Sequence, residues 1–70
     1  MGGVGMKEYH GDIIVKEWPG WYLRDDLATG CRDPEEGEAY SLFCRKPYGR
    51  VGVYAGRLEW ALKECEKYIS

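Results

Sequence analysis

Apolar and polar positions alternate in four short runs and then change to helical spacing near the end of the chain. Residues 12–18, with Ile13-Ile14-Val15, predict a first strand. Trp18-Pro19-Gly20-Trp21 is a turn signature, because Pro presets φ and Gly supplies a left-handed φ. The returning strand covers 21–24, with Asp26 as its furthest extent. Residues 28–37 hold Thr29-Gly30 and Asp33-Pro34-Glu35-Glu36-Gly37 and read as a loop. Alternation resumes over 38–46, Pro47-Tyr48-Gly49 turns the chain, and 50–55 is the fourth strand.

Over 57–69 the period lengthens. Leu58, Ala61, Leu62, Cys65 and Ile69 share one stripe of a helix. Glu59 and Lys63 stand at i,i+4 on its flank, and Gly56 marks the entry without a Ser, Thr, Asp or Asn cap. The class is therefore α+β: a small four-stranded antiparallel sheet of two hairpins, with one C-terminal helix packed on one face.

One helix covers only one face of such a sheet. Strict alternation turns Ile13, Val15, Leu23, Leu42, Val51 and Val53 to the helix, and Ile14, Tyr22, Phe43 and Tyr54 away from it. An apolar second face is buried by closure into a barrel, by a partner, or by a twofold-related copy. Monomer and homodimer both remain open.

Composition supports folding: the chain has 70 residues, 44% hydrophobic and 14% aromatic. That is one domain, over 9–70, preceded by a glycine-rich segment at 1–8 expected to be a flexible tail. No apolar run reaches the about 20 residues of a membrane span, and no membrane partner is expected. Cys31, Cys44 and Cys65 are odd in number and lack a CxxC, so buried, reduced thiols and a cytoplasmic location are expected. With His10 they would be spaced by 21, 13 and 21 residues, unlike the close ligand pairs of structural zinc. No metal, cofactor or catalytic set is expected.

Two charged regions change the picture further. Residues 25–38 carry six acids, including Asp25, Asp26, Glu35 and Glu36, against Arg32 alone. Such a loop steers a basic surface or simply stays solvated. Residues 45–50 carry Arg45, Lys46 and Arg50 with Tyr48, a set suited to phosphate or to an acidic partner. The net charge of −2 weighs against a general nucleic-acid binder. Trp60 falls about 200° from Leu58 around the helix, on its polar side. It is either an anchor for a partner or packed beneath the glycine-rich segment, against Met6 and Tyr9. Trp18, at the hairpin corner, has the same two readings.

Two local resemblances complete the sequence reading. Gly11-Asp12-Ile13-Ile14, Gly20-Trp21-Tyr22 and Gly49-Arg50-Val51-Gly52-Val53-Tyr54 resemble successive pieces of an SH3-like domain. The resemblance implies an SH3-like barrel with an added C-terminal helix as the alternative architecture. The family's opening A-L-Y-D-Y is absent, so its peptide-binding aromatics do not carry over. Val53-Tyr54-Ala55, Leu58, Ala61-Leu62, Glu66 and Tyr68 are similar to the strand-to-helix segment of a small phage inhibitor of host RNA polymerase. The expected function is a non-catalytic protein-interaction module, a small regulatory or phage-type accessory protein. The candidate contacts are Trp60, Trp18, Tyr22, Phe43 and Tyr54. The alternative is nucleic-acid binding through the basic tip at 45–50.

Overall fold

Four strands form an antiparallel meander in the computed structural model, which describes residues 11–70. The segment expected as a tail, with His10, lies outside the described residues. Strand β1 is Ile14–Trp18 and β2 is Trp21–Asp25, joined through Pro19 and a Gly20 at φ +85°. A short helix α1, Asp26–Thr29, and one 3-10 turn, Pro34–Glu36, occupy the expected loop. Strand β3 is Ala39–Arg45, β4 is Tyr48–Ala55, and helix α2 is Leu58–Ile69. The order β1-β2-β3-β4 leaves β1 and β4 as outer strands, so the sheet is open and not a closed SH3-like barrel.

The second hairpin turns one position earlier than expected. Arg45 pairs with Tyr48 across Lys46-Pro47, so Tyr48 and Gly49 belong to β4. The stacking of Tyr48 on Phe43, with ring centroids 5.7 Å apart, holds it in the ladder.

Inside the expected loop, local caps decide the structure. Asp25 accepts the Ala28 N–H at 3.0 Å and starts α1; Gly30, at φ +92°, closes it. Asp33 accepts the Glu35 N–H at 3.0 Å ahead of Pro34. Arg32 then donates to the carbonyls of Gly37 and Glu36 at 2.8 and 2.9 Å, folding the acidic segment onto itself.

The core lies between α2 and one face of the sheet. Leu23, Tyr40, Leu42, Ala61 and Cys65 form its centre, with Val15, Trp18, Trp21, Tyr54, Leu58, Leu62 and Ile69 packed around them. Leu23 and Leu42 are fully shielded, and each contributes about 2 kcal/mol relative to exposure. Trp18 is half-buried here, a packing residue more than a projecting one. The ion pair along α2 joins Lys67 to Glu64 at 3.3 Å rather than Lys63 to Glu59.

Three residues expected against the helix are elsewhere, and one expected away from it is in the core. Ile13 precedes β1 and is exposed, its N–H held by Thr29 Oγ1 at 2.9 Å. Val53 pairs with Ser41 on the face opposite Leu42, and Val51 is the extra residue of a bulge between the Leu42–Gly52 and Phe43–Arg50 pairs. Gly52 and Tyr54 face the helix instead. The Tyr54 ring lies over Gly52, so that a β-carbon added there would meet its hydroxyl at 2.9 Å and ring carbons at 3.2 and 3.3 Å. One large ring laid across a glycine fills the space under α2 better than two valines.

Gly52→Ala is expected to push Tyr54 off this position and cost about 1–3 kcal/mol. Chemical denaturation of the two proteins checks the loss, and Trp60 fluorescence should shift with it.

Candidate functional site

The second face of the sheet is closed by the sheet's own side chains. Tyr22 and Phe43 are cross-strand partners whose rings stack at 5.0 Å and 9°. The Arg45 guanidinium lies 4.8 Å over Tyr22, and that of Arg24 lies 4.9 Å over Phe43. The Tyr22 and Tyr48 hydroxyls share a hydrogen bond of 2.7 Å. Tyr22 is left 2% exposed and Phe43 7%. Neither offers a surface to a partner while this stack is intact.

The expected charged contacts divide in the same way. Arg45 is committed to Tyr22, with Glu17 at 3.6 Å, and Tyr48 to Phe43 and Tyr22. Asp26 is buried, where it accepts from Arg24 Nε at 2.9 Å and from the Ser41 hydroxyl at 2.6 Å. Asp25 caps α1, and Glu36 faces Arg32 at 3.4 Å. Lys46, Arg50 and Glu35 are exposed and enter no ion pair among the described residues.

A different set comes together along the outer margin of β4. The chain leaves β4 through Gly56 and returns as α2, which carries Trp60, Glu64 and Tyr68 on one flank at i, i+4, i+8. Trp60 packs edge-on to Tyr54 at 5.9 Å and is 47% exposed; Tyr68 packs edge-on to Trp21 at 5.7 Å and is 57% exposed. Val51 and Val53 are exposed on β4 itself. Tyr68 was legible from its helical spacing to Trp60. The two valines were not, because alternation without the bulge assigns them to the core.

Among the described residues no three His, Cys, Asp or Glu side chains converge as metal ligands, and no helix is long and apolar enough to cross a membrane. Cys31 is exposed, Cys44 half-buried and Cys65 buried, all three as thiols. No family model, no curated protein and no solved structure matches this chain.

The core resists ionisation. Burial, with the Glu64 and Glu66 charges, pushes the Cys65 thiol from its ordinary 9 up to about 11. Burial also raises the phenols of Tyr22, Tyr40 and Tyr54, with the Tyr48 hydrogen bond adding to it at Tyr22. Each group is held neutral in the fold, so its contribution is complete below the unfolded value and declines as pH rises through the folded one. Stability is therefore expected to fall as pH climbs from 9 to about 11. Denaturant midpoints across that range measure the fall, and Cys65→Ala should shallow its slope.

Proposed function

We propose that this chain is a non-catalytic protein-interaction module whose binding surface is the outer margin of β4 with the adjoining flank of α2. The observation that carries the reading is that Val51 and Val53 of β4, and Trp60 packed on Tyr54 of the same strand, are exposed large apolar side chains along one outer strand. Apolar surface gathered in this way marks interaction sites, and tryptophan and tyrosine are favoured as anchors. Charge supports it as well. From Arg45 to Leu58 there are four cations and no acid, and Glu38 of the acidic segment meets only the far end of this stretch, at Gly56. A small regulatory or accessory role suits such a domain, and three reduced thiols suit the cytoplasm.

The cation-only margin also favours a second reading, contact with nucleic acid through Lys46 and Arg50. Of the expected basic tip, Arg45 is occupied over the Tyr22 ring, and this weakens that reading.

Affinity capture from a lysate of the source cells compares the two. The wild type should retain a protein that Trp60→Ala loses, while Glu35→Gln retains it. Identical capture by wild type and Trp60→Ala would remove the protein-interaction reading. Oligonucleotide binding at about 50 mM salt that weakens steeply with added salt would establish the second reading.

A further inference from the structure

The margin of β4 has a hydrogen-bonding pattern that narrows what it accepts. Arg45 donates its N–H to Gly20 O across β2 at 2.9 Å. Successive residues of a strand turn their backbone groups to opposite sides, so Leu42 and Tyr40 bond toward β4. Their partners Gly52 and Tyr54 bond inward, and Gly56, donating to Glu38 O at 2.9 Å, continues the inward set. Val53 and Ala55 consequently direct their N–H and C=O away from β3. No strand lies beyond β4 among the described residues. Open backbone groups of this kind are satisfied by an added strand.

Charge selects the occupant. An isologous pairing of two copies is antiparallel. With Val53 opposite Val53 of the other copy, Arg50 of each falls opposite Gly56 of the other, beside both Glu38 and Arg57, so charge gives self-association no net drive. The same cations, with Lys46, suit an acidic chain. A strand laid along β4 would also alternate its side chains between the Val53 side and the Trp60 side.

Resting on the interaction-module reading, we propose that β4, at Val53 and Ala55, takes an extended acidic segment of a partner protein as a fifth strand. Trp60 is the aromatic against which alternate side chains of that segment pack.

A displayed library of random dodecapeptides, selected on the wild-type protein, supplies the probe. Selected peptides should alternate apolar residues with Asp or Glu. A synthesised representative should lose at least about tenfold in affinity on Val53→Pro, which removes an outward N–H that an edge strand can spare. Glu35→Gln, exposed and away from β4, should leave the affinity unchanged. Peptide should also slow amide exchange at Val53 and Ala55 by at least about tenfold, a readout that holds even if the proline variant does not fold. Basic peptides, unchanged exchange at both amides, or equal binding to a folded Val53→Pro would overturn the proposal. So would a wild-type dimer that Val53→Pro dissolves, or an oligonucleotide that displaces the peptide. Trp60-dependent capture without these edge effects would leave the module reading standing and sink the added strand alone.

Discussion

A four-stranded sheet with one helix has to shield its second face without a second layer, and the stack Arg45–Tyr22–Phe43–Arg24 does so. Two aromatic rings and two guanidinium planes lie across the central strands. Guanidinium is planar and weakly hydrated, so it covers a ring more readily than an ammonium would. Much else is positioned by these two arginines. Arg24 also holds Asp26, which binds Ser41 and ties α1 to β3. Arg45 and Tyr48 fasten the second hairpin at its tip and so set where β4 begins.

Burying charge in this way is costly unless the charge is partnered. Arg24 meets that condition with Asp26 at 2.9 Å and Asp12 at 3.9 Å. Arg45 meets it less completely: its Nη2 is buried without a hydrogen bond, and Glu17 stands 3.6 Å away. The hairpin tip is consequently the less firmly held end of the stack. The margin of β4 beyond it is built differently, from valines and aromatics that stay in contact with solvent.

The class of fold was legible because alternation and helical spacing are strong signals, and each expected strand and the helix is present within a few residues. The phase of β4 was not. A bulge at Val51 and a tyrosine folded over Gly52 reverse which residues reach the core, and neither is visible in a hydrophobic pattern. Tyr22 and Phe43 were correctly placed on the second face, yet arginines 4.8 and 4.9 Å above their rings cannot be read from spacing. Trp60 stood out because tryptophan is rare on a polar helical side, and it is half exposed in the fold. Asp25 and Asp33 were legible as helix caps, each followed by a helical turn and a later glycine, but their acidity drew the reading toward charge.

The pair β2–β3 supplies buried residues to both faces, Leu23 and Leu42 on one and Tyr22 and Phe43 on the other. The strand that carries the exposed margin supplies few. The buried residues of both faces and the exposed margin thus lie in separate stretches of the chain. Substitutions at Val51, Val53 or Arg50 touch little that holds the domain together, so these positions are free to diverge among descendants while Gly52, Tyr54 and the inner pair are held fixed.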